Sequence, residues 1–240
     1  VSDKSELLLK PKRFYKAAAA APVEAGFAVQ LDGRTPKTPE KRPLILPTQA
    51  LADGIAAEWE AQAEYIDHAL MPATRLAFTT LDRIPETRAG VAKEITNYAA
   101  SDHLCYRAEH PTPLVERQDR EWGAILDWAK AEHGLVFTPV AGIIHQPQPP
   151  ATVAAVEALA LTLDDFALGG VAFATGLYGS AVLALAVRAG RLTGQRALDL
   201  SRLEEMFQAE QWGEDAEAAA RVTALAVEAQ MIDRWFAALR

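Results

Sequence analysis

The sequence predicts an α+β protein: a small N-terminal β-rich domain over residues 1–47, then a larger all-helical domain over residues 48–240. Three observations carry that reading. Before Pro47 the apolar residues alternate, the period of a half-buried strand, and prolines at 36, 39, 43 and 47 leave no room for a long helix. After Pro47 apolar residues recur at steps of three and four through most segments. Charge divides in the same way: residues 1–46 hold nine Lys or Arg against five Asp or Glu, and the rest hold fifteen against twenty-seven.

Taken in order, residues 14–21 read as a strand leading into a meander, although their alanines favour helix by propensity. Phe27, Val29 and Leu31 alternate with Ala28 and Gln30, and Asp32-Gly33 follows as a turn pair in which both positions favour positive φ. Leu44, Ile45 and Leu46, between two prolines, suit a further short strand. Thr48 opens a helix with Leu51, Ile55, Trp59, Gln62 and Ile66 on one face. Pro72 starts a second, with Leu76, Ala77, Thr80, Leu81 and Ile84, and Pro85 a third, with Val91, Ile95 and Tyr98 inward. After an extended piece at 104–107, Val115, Trp122, Ile125, Leu126 and Ala129 mark a helix that stops at His133-Gly134. Residues 135–150, with four prolines, read as strand plus loop. Short helices follow around Val153, Val156, Ala160 and Leu163 and around Leu200, Leu203 and Phe207. The last helix carries Val222, Leu225, Ala229, Ile232, Phe236 and Leu239 in one seam, suited to docking on one neighbour.

Composition excludes several classes. Half of the 240 residues are hydrophobic, enough for a buried core and unlike a disordered tail. The net charge of −8 argues against general nucleic-acid binding. A single cysteine, Cys105, excludes an internal disulfide framework and thiolate metal clusters, and fits a reducing compartment. The first ten residues lack the apolar core of a secretory signal.

Residues 166–187 contain no Asp, Glu, Lys, Arg or His over 22 positions, a length that spans a bilayer. Their glycines and alanines make the run only weakly apolar, so the expectation is a central buried helix without stable membrane insertion. Within it Gly176 is expected to be closely packed, so that leucine there overpacks the core.

Catalytic signatures are scarce. There is no P-loop, no dinucleotide fingerprint, no nucleophile elbow and no H-E-x-x-H, so no cofactor is expected. Glu64 and His68, four apart with Asp67 beside them, read as a solvated helix end rather than metal ligands. Asp102-His103 near Cys105 leaves open an enzyme with an unrecognised site. The cluster Gln208, Glu210, Gln211, Trp212, Gly213, Glu214, Asp215 and Glu217 admits two readings: a helix corner with Trp212 tucked beneath it, or an acidic recognition edge with an aromatic anchor.

Several stretches, in this order, are similar to a known family. They are Lys12-Arg13-Phe14-Tyr15-Lys16, Leu31-Asp32-Gly33-Arg34-Thr35-Pro36-Lys37-Thr38-Pro39, Glu58-Trp59-Glu60-Ala61-Gln62 and Met71-Pro72-Ala73-Thr74-Arg75-Leu76-Ala77. Further on come Asp102-His103-Leu104-Cys105-Tyr106-Arg107-Ala108, Leu114-Val115-Glu116-Arg117-Gln118, and the segment from Ser201 to Asp215. Together they resemble the assembly-chaperone family for the alpha subunit of F-type ATP synthase. The resemblance implies a non-enzymatic, cofactor-free protein that binds the unassembled alpha subunit and prevents its aggregation until the beta subunit replaces it. It implies Glu210, Trp212, Glu214 and Asp215 as the partner-binding residues, Glu210 and Glu214 pairing with basic client residues while Trp212 fixes the corner. Arg75 and Arg107 read as buried structural ion pairs. A free monomer is expected. With eleven residues ahead of the first motif, the location expected is the cytoplasm of a bacterium, or the mitochondrial matrix for a processed form. Two alternatives stay open at this point: an enzyme acting through Cys105, and a membrane-associated assembly factor anchored by residues 166–187.

Overall fold

In the computed structural model, which describes residues 10–213 and 216–240, the N-terminal strands form a three-stranded antiparallel sheet ordered β1 (Ala18–Val23), β2 (Gly26–Leu31), β3 (Ile45–Leu46). Ala28 and Val29 point to opposite faces of the central strand β2 and are both buried, so the sheet is covered on both sides there. Asp32 and Gly33 take φ of 47° and 81°, and Leu31 and Arg34 exchange backbone hydrogen bonds of 2.9 and 3.0 Å across the turn. The β1–β2 hairpin, however, turns through Glu24 and Ala25, with Val23 paired to Gly26. Gly26 is required by proximity, since a Cβ there would lie 2.5 Å from the Leu46 carbonyl oxygen.

Helix α1 (Gln49–Glu60) lays Leu51, Ala52, Ile55, Ala56 and Trp59 against β1 and β2, and the Thr48 hydroxyl caps it by accepting from Leu51 N at 3.2 Å. It ends six residues before Ile66, the last position expected on its apolar face. Gln62 and Ile66 are buried in the following loop, where the Gln62 side chain donates to the Glu58 carbonyl at 3.0 Å and accepts from Asp67 N at 2.7 Å. The Glu58 carboxylate caps the next helix, accepting from Ala73 N, Thr74 N and Thr74 Oγ1 at 2.7–2.8 Å. That helix, α2 (Pro72–Ala100), runs through Pro85 instead of restarting there. Loss of one N–H and the ring clash cost roughly 3 kcal/mol in an isolated helix. Here the buried stripe is continuous, from Leu76, Ala77, Thr80 and Ile84 to Ala92, Ile95 and Ala99. Tyr98, expected inward, is 37% exposed.

By its internal packing the chain separates into two units, residues up to 86 with 237–240, and residues 87–236. The change from strands to helices at Pro47 lies inside the first. In the second, β4 (Tyr106–Arg107) pairs in parallel with β5 (Val140–Ala141), and the helices are α3 (Thr112–His133), α4 (Pro150–Thr162), α5 (Asp165–Tyr178), α6 (Ala181–Arg188), α7 (Gly194–Ser201), α8 (Leu203–Trp212) and α9 (Ala216–Leu239).

The apolar run at 166–187 is therefore two helices, not one. Gly179 adopts φ 64°, a left-handed end to α5, and Ser180 caps α6 by accepting from Leu183 N at 3.1 Å. The buried Asp102 carboxylate holds this break, accepting from Ser180 Oγ at 2.9 Å and from Val182 N at 3.2 Å. Among the described residues no helix is long and apolar enough to cross a membrane. Gly176 is exposed, with nothing within 4 Å of a Cβ placed there, which overturns its expected packing role. The crowded glycine of α5 is Gly170, whose Cβ would meet Phe236 and Trp235 side chains at 2.8 Å.

Candidate functional site

Most of the motif residues are occupied in holding the fold. Arg13 donates to the Tyr15, Glu60, Lys16 and Gln62 carbonyls, and the Asp32 carboxylate accepts from the Lys16 and Ala17 amides. Arg107 is buried, lies 5.3 Å over the Trp122 ring, donates to the Gln118 carbonyl at 2.8 Å and sits 3.5 Å from the Asp119 carboxylate. Burial pulls its pKa below the ordinary arginine value despite that neighbour.

The Asp102–His103–Cys105 group is structural. Cys105 has no exposed surface, and burial pushes its thiol up to about 12, with the Asp102 charge adding to the shift. Asp102 is itself raised, chiefly by burial; its Oδ2 is taken by the α6 break and its Oδ1 accepts from Leu104 N at 3.2 Å. The His103 ring donates from Nδ1 to the Gly179 carbonyl at 3.0 Å. A nucleophile must be a thiolate within reach of a base, and a buried thiol with a raised pKa disfavours that state. Native protein at about pH 8 is accordingly expected to resist thiol reagents and to react at once in denaturant. Rapid labelling of the native state, followed by absorbance, would contradict the placement.

Glu64 and His68 do not converge: Glu64 lies 3.6 Å from Lys12, while the His68 ring packs between Trp59 and Phe78. Among the described residues no trio of His, Cys, Asp or Glu is arranged to hold a metal.

The acidic cluster departs from the reading of a corner with Trp212 tucked beneath it. Glu210, on the last turn of α8, forms a two-pronged pair with Arg117 at 2.8 and 2.9 Å, which holds its carboxyl below the usual range. The Arg117 guanidinium also lies 5.3 Å over the Phe207 ring. Glu210 thus faces its own chain. Trp212 is not tucked beneath a corner: it is 80% exposed, and Gly213, at φ 91°, ends the helix just after it. Glu214 and Asp215 lie outside the described residues.

Beside Trp212 runs a groove of about 500 Å³, lined by Arg202, Glu205, Gln208, Arg221 and Leu225 among others. A second cavity, about 580 Å³, is lined by His103, Arg107, Trp122, Ile143, Arg202 and Glu205. The two concavities share the Arg202–Glu205 ion pair. Beyond the second, Ile143 is 95% exposed and Ile144 77%. The lining of the second cavity is well bonded: Trp122 Nε1 donates to the Leu200 carbonyl at 2.9 Å, and Gln118 joins Ala108 N to the Glu204 carboxylate. Two exposed apolar groups beside two hollows, with a self-paired charge near them, have the chemistry of a protein-contact surface. Of the residues around these hollows the sequence singles out Trp212, holds Arg202 and Glu205 only within a family-like stretch, and marks Ile143 by nothing more than a pair of isoleucines inside a proline-rich loop.

The model of the ATP12 chaperone protein family matches residues 12–130. The crystal structure of Atp12 from Paracoccus denitrificans is 37% identical, superposes with a TM-score of 0.89, and is matched over 96% of this chain and 99% of that one. This chain belongs to the ATP12 chaperone family. A solved structure from Agrobacterium tumefaciens is 40% identical with a TM-score of 0.90, over 96% of this chain and 87% of that one. The mitochondrial protein atp12 of Schizosaccharomyces pombe is 23% identical over 219 residues, 85% of this chain and 75% of that protein. The ATP12 family match ends before α8, so the Trp212 surface lies in the part covered by whole-chain likeness alone.

Proposed function

We propose that this ATP12-family chain is an assembly chaperone for F-type ATP synthase. In this reading it binds the unassembled alpha subunit, keeps it from aggregating, and gives it up when the beta subunit arrives. The observation that carries the reading is the exposed Trp212 beside a groove on a bonded helical face. A subunit without its partner exposes an apolar interface prone to association, and covering it lowers the concentration of the aggregating form. Release requires weaker binding than that of the final partner. Apolar anchors separated by charges already paired within the chaperone meet that need, because they add contact without creating a desolvated ion pair across the interface.

Trp212 is the proposed contact, and Glu210, through Arg117, positions the end of α8 that bears it. Glu214 and Asp215 continue the same segment as proposed contacts. The chaperone would act as a monomer where the alpha subunit awaits assembly, in the bacterial cytoplasm or the mitochondrial matrix. Size-exclusion chromatography with light scattering tests this: freshly refolded alpha subunit should co-elute with the chain at one to one. Elution of the two as separate species would sink the proposal.

A further inference from the structure

We infer that the β-sheet unit carries a second docking surface, centred on Phe14, for an acidic segment of the chaperoned polypeptide that presents an apolar side chain. The inference rests on the chaperone reading above but uses a different part of the chain.

Phe14 is 73% exposed, yet the backbone on both sides of it is fixed. Arg13 N donates to the Glu64 carbonyl at 2.9 Å, and the Arg13 guanidinium lies 4.6 Å over the Tyr15 ring while bonding four carbonyls. Tyr15 is buried and its hydroxyl donates to the Trp59 carbonyl at 2.6 Å. The Lys16 and Ala17 amides are held by Asp32. The Phe14 ring meets the Tyr15 ring in a T-shaped contact at 5.4 Å. A large apolar ring displayed on an ordered backbone binds with little further loss of conformational entropy.

Next to the ring is a cleft of about 370 Å³, lined by Leu31, Asp32, Arg34 and Pro36 among others. The acids nearby are engaged: Asp32 by two amides, Glu60 by Arg13 and Ala18 N. Lys16, Arg34 and Lys37 are exposed; the Lys16 and Ala17 amides, and then the Lys16 charge, help to hold the Asp32 carboxyl below its usual range, while among the described residues Arg34 and Lys37 have no ion-pair partner. The unanswered charge here is positive, in a protein whose net charge is −8. Charge complementarity therefore selects carboxylates, and the ring beside the cleft selects an apolar side chain among them. So few exposed cations, in an acidic protein, offer too few phosphate contacts for a nucleic-acid site.

The test places p-benzoylphenylalanine at position 14 of the full chain, irradiates its complex with purified alpha subunit, and sequences the cross-linked peptide. A client peptide of net negative charge with an aliphatic or aromatic residue is expected. In parallel, Phe14→Ser and Arg34→Glu should each weaken the complex about tenfold without lowering the melting temperature, the Arg34 effect shrinking in high salt. Cross-linking to a second copy of this chain, to nucleic acid or to a basic client segment overturns the inference. So does binding indifferent to both substitutions while the unsubstituted complex forms. If the unsubstituted chain binds no alpha subunit, the chaperone reading falls first and this inference with it.

Discussion

Trp212→Ala is expected to weaken client binding by about 2 kcal/mol, roughly thirtyfold in Kd, while leaving the melting temperature unchanged. The side chain is 80% exposed, so little of its area is buried in the free protein and little stability is lost with it. On binding, the same indole would remove most of its surface from water against the client, the condition under which tryptophan dominates an interface. Calorimetry of the complex with refolded alpha subunit measures the first quantity and a thermal melt the second. A variant that binds normally but melts early would make Trp212 structural.

The largest stability effect is expected at Gly194. A Cβ at this first residue of α7 would lie 1.9 Å from the Ala229 carbonyl oxygen and 3.3 Å from Asp233 Cβ, both on α9. The obstruction is helix backbone, which cannot rotate aside. Gly194→Ala must therefore separate α7 from α9, at about 3 kcal/mol or more. For a chain of this length that lowers the melting temperature by roughly 6–12 °C. Gly176→Ala is the internal control: its Cβ enters open space on the exposed side of α5, and alanine favours helix over glycine by about 1 kcal/mol. The control should melt at or above the parent temperature. Equal destabilisation by both would show that the helix packing described here is wrong.

These two glycines also show where sequence reading reaches its limit. Periodicity identified Leu51, Ile55 and Trp59 as one buried face, and Thr48 as its cap, because those properties belong to a single helix. Close approach between helices belongs to two segments at once. Gly176 inside an apolar run and Gly194 in a polar one gave no hint that the second was crowded and the first open. The break at Gly179-Ser180 was spelled out in residue types, but the buried carboxylate that holds it comes from Asp102, 78 positions away from Ser180. Pro85 reads as a helix start, and only the continuous buried stripe of α2 shows why the helix runs through it. The hairpin at Glu24-Ala25 lacks the usual turn residues, whereas Asp32-Gly33 had them and formed its turn.

The candidate site was legible only in part. An aromatic among acids singled out the end of α8, but exposure is not a property of sequence, and neither is the Arg117–Glu210 pair across 93 positions. Ile143 was hidden for the opposite reason: in a loop without periodicity nothing distinguishes an exposed isoleucine from a buried one. Much of the family-like pattern in the first half of the chain is the polar framework of Arg13, Asp32, Glu58 and Gln62. That framework marks how the chain folds rather than what it touches.

Light scattering from purified alpha subunit diluted out of denaturant, with and without this protein and without nucleotide, decides whether the chain is a chaperone of that subunit. Aggregation is expected to be suppressed at a near-equimolar ratio, and the alpha subunit to be transferred when the beta subunit is added. Undiminished scattering at equimolar chaperone, or suppression that the beta subunit does not relieve, would contradict that role.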